Sequence, residues 1–148
     1  MKKFGLVINP SKTNFLGIGI DVVHIPTFER SLENSPGLYL RIFSNSEMSR
    51  DVTSLAGNFA VKEAAIKSLG QAGMPVDFRN IFVGRNDSGI PFIEVNAQNF
   101  LEGKSGRLSF STSISHHADY AIAIVVCFEE KTSRLSAIKN LLVRTLFR

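Results

Sequence analysis

Residues 15–25 read FLGIGIDVVHI, and this stretch decides how the rest of the chain can fold. It is short, rich in β-branched residues and apolar except at Asp21 and His24, a pattern typical of a β-strand. Pro26 follows directly and ends the strand. Gly17 and Gly19 are unusual inside a strand, and they indicate that another backbone or a ligand approaches closely there.

A long helix is predicted from the middle of the chain. The sequence Ser44-Asn45-Ser46-Glu47 fits a capping box, with Ser44 as the N-cap residue and Glu47 at the third helical position. The helical region that follows runs to Leu69, with a break predicted near Thr53. Gly70 and Gly73 supply the stop signal.

Further segments complete the expected order of elements. Residues 27–42 have a loosely helical spacing, and residues 80–95 indicate a β-hairpin with an Asn-Asp-Ser-Gly turn. Residues 107–115 and 119–128 alternate or run apolar, as β-strands do. Residues from Ser133 onward place leucine and isoleucine at helical spacing. This order predicts an α+β fold in which an antiparallel sheet packs against a long helix.

The length and composition fit one globular domain. The chain has 148 residues, of which 44% are hydrophobic and 20% charged. We expect an N-terminal extension (1–15), one domain (16–130) and a basic C-terminal helix or tail (131–148). The single cysteine, Cys127, lies in the apolar run AIAIVVCF, which predicts a buried thiol rather than a disulfide.

Charge and hydropathy narrow the class of partners. The net charge of +4 favours an acidic partner: a nucleic acid, an anionic membrane, an acidic protein or a phosphorylated small molecule. A nucleic-acid interface is not expected, because no recognisable motif or basic strand with interleaved aromatic residues is present. No apolar run approaches the roughly 20 residues of a transmembrane helix. A cytoplasmic protein without membrane contact is therefore predicted.

Two carboxylates and neighbouring lysines are the candidate groups for binding a metal ion and phosphates. Asp21 lies in the middle of a strand, where an unpaired carboxylate needs a partner, a metal ion or an open cleft. Glu63 and Lys67 lie one helical turn apart, which on its own predicts only a weak surface ion pair. Together, two carboxylates and several lysines suit Mg²⁺ and the phosphates that complete its coordination.

Four ordered segments resemble one enzyme family. They are GIGIDVVHI (17–25), FAVKEAAIKSLG (59–70), DSGIPFIEV (87–95) and STSISHHADYAIAIVV (111–126). In this order and spacing they resemble the holo-acyl-carrier-protein synthase family of 4'-phosphopantetheinyl transferases. The resemblance implies a cytoplasmic enzyme that transfers the phosphopantetheine arm of coenzyme A to a serine of an acyl carrier protein and releases 3',5'-ADP.

The resemblance also implies roles for individual residues. Asp21 and Glu63 would hold Mg²⁺, and Lys67 would either touch the phosphates or assist proton removal from the serine. The nucleotide end of coenzyme A would be contacted by Lys62 and by a turn at Ser115 and His116. Short members of this family are usually homotrimers with the site between subunits, so a homotrimer is expected.

The chain departs from the family pattern at three positions. Asn58 stands where arginine is common, His24 stands where glutamate is common, and a basic residue is often found near Thr27. We therefore expect Arg30 and Arg41, on the first helical region, to attract the acidic carrier protein. The alternative interpretation is a non-catalytic relative that binds a carrier protein or a nucleotide.

Overall fold

The structure is a computed structural model, and it describes residues 13–48, 50–96 and 106–131. The predicted extension up to residue 12 and the predicted C-terminal helix lie outside this range. Residues 13–15 belong to the first strand. The elements in chain order are β1 (Thr13–His24), α1 (Ile25–Asn34), α2 (Pro36–Tyr39), α3 (Asn45–Met48), α4 (Val52–Gln71), a 3-10 turn (Phe78–Asn80), β2 (Ile81–Arg85), β3 (Pro91–Val95), β4 (Gly106–His117) and β5 (Tyr120–Lys131).

The predicted α+β fold is confirmed. Strands β1, β5 and β4 form an antiparallel sheet in that order, and β2 pairs with β3 in the predicted hairpin. The long helix α4 packs across the inner face of β1 and β5, where Ala121, Ala123 and Val125 are buried. Small residues dominate this contact because the helix and the sheet lie close together.

The helical region begins as two helices rather than one. Glu47 reaches back to the Ser44 N–H at 2.9 Å, which is half of the predicted capping box, but α3 ends at Met48. Asp51 then caps α4 by accepting a hydrogen bond from the Ser54 N–H at 3.0 Å. The predicted break therefore falls just before α4.

An aromatic cluster fills the space between α1, α2 and α4. Phe28 of α1 meets Tyr39 and Phe43 edge-on, and Phe59 of α4 stacks on Phe78. Phe28, Tyr39 and Phe43 are buried. This cluster fixes α1 beside the end of β1, and the two elements form the walls of a cleft.

The buried thiol is also confirmed. Cys127 of β5 is fully buried beside Leu69 and Met74, and burial raises the pKa of its thiol to about 12. A thiol in this environment stays protonated and unreactive at neutral pH. Within the described residues, no helix is long and apolar enough to cross a membrane.

Candidate active site

Two glycines of β1 let α4 approach the strand. A Cβ atom added to Gly19 would lie 1.9 Å from the Ala64 carbonyl oxygen, and one added to Gly17 would lie 2.2 Å from that of Ser68. No other residue fits these positions without moving the helix. The close backbone approach predicted from the sequence is therefore made by α4.

This approach brings Asp21 and Glu63 to one cleft. Asp21 follows Gly17 and Gly19 at the two-residue period of a strand, so its side chain lies on the face that α4 covers. Glu63 precedes Ala64, the residue that contacts Gly19. Both carboxylates line a cleft of about 500 Å³, although they are far apart in the sequence.

Lys67 pairs with Asp21 and not with Glu63. Its ammonium donates to Asp21 Oδ1 at 2.7 Å and to the Ile20 carbonyl oxygen at 3.1 Å. The ammonium side chain is 49% exposed and the Asp21 side chain 16% exposed. Lys67 is therefore the more exposed member of this ion pair, and Asp21 is the member that lines the cleft.

The charges around Glu63 affect its ionisation. Burial raises the pKa of Glu63 above its ordinary value, the nearby Asp21 carboxylate raises it further, and Lys67 opposes the rise. Two carboxylates that repel each other in a half-buried cleft are suited to share a cation. In the described residues no third His, Cys, Asp or Glu joins them to form a larger metal-binding group.

The remaining walls of the cleft were missed by sequence reasoning. Its apolar lining includes Val23, Phe28, Tyr39 and Phe59. Phe59 lies one helical turn before Glu63, so spacing along α4 could have placed it on the same face. Phe28 and Tyr39 lie on separate short helices, and only their packing brings them to this cleft.

The structure does not place Lys62 in the cleft. Its ammonium is buried, donates to the carbonyl oxygens of Ile42 and Ile81 at 2.7 Å each, and lies 3.1 Å from Glu47 Oε1. Burial lowers the pKa of Lys62, and the Glu47 charge opposes this shift. The predicted nucleotide contact is thus corrected, because Lys62 is a core residue that ties α4 to α3 and β2.

The predicted turn at Ser115 and His116 is part of strand β4. The turn itself lies at Ala118, which has a positive φ of 49°. His116 packs on Gly57 and lies 3.3 Å from the Thr53 carbonyl oxygen. Ser115 faces the opposite, exposed side of the sheet, opposite Ile122. Neither residue lines the cleft of its own chain.

The three departures from the family pattern have different surroundings. His24 lines the cleft, contacts the Tyr120 ring, and its Nδ1 lies 2.8 Å from Thr27 Oγ1. Arg30 also donates to Thr27 Oγ1 at 3.2 Å, which places its guanidinium beside that residue. Asn58 is buried, and its amide nitrogen has no hydrogen-bond partner among the described residues.

Comparison with known proteins identifies the class. The sequence model of the family described as the 4'-phosphopantetheinyl transferase superfamily matches residues 17–125. The chain belongs to this superfamily, which confirms the predicted class of enzyme.

Relatives that the chain matches over most of its length include holo-[acyl-carrier-protein] synthases. The enzyme of that name from Clavibacter michiganensis is 41% identical over 113 residues, which cover 74% of this chain and 92% of the relative. The structure of the Helicobacter pylori enzyme in complex with coenzyme A matches with a TM-score of 0.64 and 34% identity, over 74% of this chain and 98% of that one. A Chronobacterium ammoniagenes complex with coenzyme A matches with a TM-score of 0.64 and 30% identity, over 79% of this chain and 98% of that one.

Proposed function

We propose that the chain transfers the 4'-phosphopantetheine group of coenzyme A to a serine of an apo acyl carrier protein and releases 3',5'-ADP. The observation that carries this proposal is that Asp21 and Glu63 line one cleft and that Lys67 pairs with Asp21. This arrangement combines two carboxylates with a cation, as phosphoryl-type transfer needs. The coenzyme A complexes of similar proteins support the choice of substrate.

Asp21 and Glu63 are the residues that would hold Mg²⁺. Their carboxylates suit this ion, which prefers a few carboxylate oxygens and leaves its other positions to water and substrate phosphates. When bound, the ion would neutralise charge on the diphosphate of coenzyme A. The raised pKa of Glu63 supports the fit, because a bound cation would offset both causes of the rise, the burial of this carboxylate and its repulsion from Asp21.

Lys67 is better suited to the phosphates than to proton removal. An ammonium has three N–H donors, and Lys67 directs donors at Asp21 and at the Ile20 carbonyl oxygen. The remaining donor can contact a phosphate oxygen. A protonated ammonium has no lone pair with which to accept the proton of the serine.

The outer face of the sheet supports the proposal of a homotrimer. Ile18, Ile20 and Val22 of β1 are between 44% and 59% exposed, and they lie beside Ile122 and Ile124 of β5. A continuous apolar face of this kind marks an interaction surface. Ser115 lies at its border, so a neighbouring subunit packed on this face would contact Ser115. Ser115 would then lie near the nucleotide end of the coenzyme A bound by that neighbouring subunit.

Helix α1 is the proposed surface for the carrier protein. The guanidinium of Arg30 lies beside Thr27, at the mouth of the same cleft. Arg30 therefore supplies a positive charge close to the position where the family pattern often has a basic residue. Carrier proteins are acidic, so charge would steer their approach to this helix, and salt would weaken it.

A transfer assay tests the proposed reaction. The purified protein is incubated with coenzyme A, Mg²⁺ and a panel of apo carrier proteins, and mass spectrometry detects the added arm. We expect modification of at least one carrier and the release of 3',5'-ADP. Binding of coenzyme A without transfer to any carrier would instead support the non-catalytic alternative.

A charge-reversal experiment tests the carrier surface. Arg30→Glu with Arg41→Glu should lower kcat/KM for the carrier and reduce its dependence on salt, whereas Arg107→Glu on β4 is the control and should not. Deletion of residues 133–148 tests the basic tail in parallel. If only the deletion lowers the rate, the carrier binds elsewhere than at α1.

A further inference from the structure

Strand β1 has an open edge that borders the cleft. Within the described part of the chain, β1 is the outer strand of its sheet and pairs with β5 on one side only. The cleft is lined by four consecutive residues of this strand, from Asp21 to His24. An edge strand presents unpaired backbone N–H and C=O groups along its open side.

Side chains of α4 already cover part of that edge. The Gln71 amide accepts a hydrogen bond from the Ile18 N–H at 3.2 Å and donates to the Ile18 C=O at 2.8 Å. Lys67 donates to the Ile20 C=O. Ile18 and Ile20 therefore direct backbone groups away from β5 and toward the open side.

The same alternation continues to Val22. In an antiparallel ladder every second residue directs both backbone groups away from its partner strand, so Val22 follows Ile18 and Ile20. The Ile25 N–H donates to the Asp119 C=O at 2.8 Å, on the side of β5. This agrees with the alternation, because Ile25 is an odd-numbered residue and Val22 an even-numbered one. Over residues 13–48, 50–96 and 106–131, no group bonds the outward N–H or C=O of Val22.

We propose that the backbone of Val22 binds the β-alanine unit of the pantetheine arm of coenzyme A, as a neighbouring strand residue would be bound. This inference rests on the proposed function. The N–H of the β-alanine unit would donate to the Val22 C=O, and its C=O would accept from the Val22 N–H. The unit is a close match, because it carries an N–H and a C=O separated by a short alkyl spacer.

The surroundings of Val22 fit this occupant. Asp21, the preceding residue, belongs to the proposed phosphate and metal site, so the arm would begin beside Val22. Phe28, Tyr39 and Phe59 provide an apolar wall for the methyl groups and alkyl chain of the arm. The cleft volume of about 500 Å³ lies within the usual range of small-molecule sites.

Paired analogues of coenzyme A give the most direct test with the native protein. One analogue is N-methylated at the β-alanine nitrogen, and the control is N-methylated at the cysteamine nitrogen. Calorimetry with Mg²⁺ measures both dissociation constants. We expect binding about three- to tenfold weaker for the first analogue, as for the loss of one hydrogen bond, and near-native binding for the control.

A backbone variant tests the Val22 N–H. Val22→Pro removes the outward donor, and proline is tolerated in an edge strand where the N–H faces away from the sheet. The variant should bind 3',5'-ADP, which lacks the arm, as the native protein does, and bind coenzyme A about three- to tenfold more weakly. Val22→Ala measures the effect of the lost side chain, so the contribution of the backbone N–H is the further weakening of coenzyme A binding in Val22→Pro relative to Val22→Ala.

The outcomes separate this inference from the proposed function. Equal binding of the two methylated analogues would overturn the inference, whether or not Val22→Pro folds. A Val22→Pro variant that binds coenzyme A normally but has a raised KM for the carrier would overturn it as well. If the native protein shows the expected analogue pattern but modifies no carrier, the Val22 contact stands and the proposed transfer fails.

Discussion

Glu63 combines a structural cost with a proposed functional role. Its pKa is raised by burial and by Asp21, so the ionised form is disfavoured in the folded protein. A raised carboxyl pKa makes the native state lose stability as pH increases through the range between the ordinary and the raised value. The metal-free protein therefore carries a cost at neutral pH that a bound cation would remove.

Glu63→Gln should separate these two effects. In metal-free buffer at neutral pH, we expect its melting temperature to equal or exceed that of the native protein, and the difference should vanish below the ordinary glutamate pKa. Added Mg²⁺ should raise the melting temperature of the native protein and have little effect on the variant. A variant that melts lower without metal and responds fully to Mg²⁺ would contradict this account.

Replacing Lys62, the residue next to Glu63, should affect the stability of the fold and not the binding of a metal ion. Lys62→Met leaves the Glu47 carboxylate buried without its cation, which should destabilise the protein by about 3–5 kcal/mol. Glu47→Gln combined with Lys62→Met should recover part of this loss, because it removes the uncompensated charge. Urea unfolding measures both changes.

The KM for coenzyme A tests the other role of Lys62, a contact with the nucleotide. A core residue should leave this KM near the native value at a temperature where the variant is folded. If Lys62→Met unfolds at the native urea midpoint while its KM rises several-fold, Lys62 contacts the nucleotide after all.

The sequence could indicate Asp21 but not the position of Lys62. A carboxylate inside an apolar strand needs a charged partner, a metal ion or an open cleft, and this requirement indicates a functional site at Asp21. The predicted role of Lys62, by contrast, came from the family resemblance, whereas its partner Glu47 lies on a separate helix and its acceptors are backbone carbonyls. Neighbours one helical turn away, Asn58, Phe59 and Ile66, indicate a mainly inward face, and this was the available signal.

At the scale of elements, the packing of α4 on β1 positions the site. Gly19→Ala would place a methyl group against the Ala64 carbonyl oxygen, 1.9 Å away, so the helix would have to move. We expect a loss of at least about 1–3 kcal/mol in the free energy of unfolding. Transferase activity should fall as well, because Glu63 moves with α4.

Gly70→Ala is the matched control for this substitution. Gly70 lies in α4, and among the described residues no heavy atom outside the adjacent turns of the helix lies within 4 Å of the position where its Cβ would be. Alanine there should be neutral or stabilise the helix by up to about 1 kcal/mol. Equal melting temperatures for Gly19→Ala and the native protein would show that the helix is not held by this contact.

Helices and strands with characteristic turn or glycine residues could be predicted from the sequence. Which of them contact each other was harder to predict. The β2–β3 hairpin followed from its turn residues, and the glycines of β1 predicted a close neighbour. That this neighbour is α4 depends on long-range packing, which alternation alone does not encode. The first of the last two strands was predicted to end at Ser115, and the structure extends it to His117, because His116 continues the strand alternation and Ala118 adopts the positive φ of the turn.

At the scale of the whole molecule, the exposed apolar face of β1 and β5 predicts self-association. We expect the native protein to sediment at three times the 16.3 kDa mass of one chain. Ile124→Glu should shift it to the monomer and lower the transferase activity. Ile90→Glu changes a similarly exposed isoleucine on the β2–β3 hairpin, 45% against 37% exposed, and should leave the assembly intact.

A monomer that is fully active at the working concentration would refute the proposal that two subunits form the coenzyme A site together. Dissociation of the assembly by Ile90→Glu but not by Ile124→Glu would place the interface on the hairpin instead of the sheet.

The central proposal is that Asp21 and Glu63 hold one divalent cation between them. The most direct measurement is the anomalous scattering of Mn²⁺, substituted for Mg²⁺, in crystals grown with coenzyme A. We predict one strong peak within about 2.1 to 2.2 Å of an oxygen of each carboxylate, as for a small octahedral ion, with a diphosphate oxygen as a further ligand. A peak bound by only one of these carboxylates, or no peak in this cleft while coenzyme A is bound, would contradict the account.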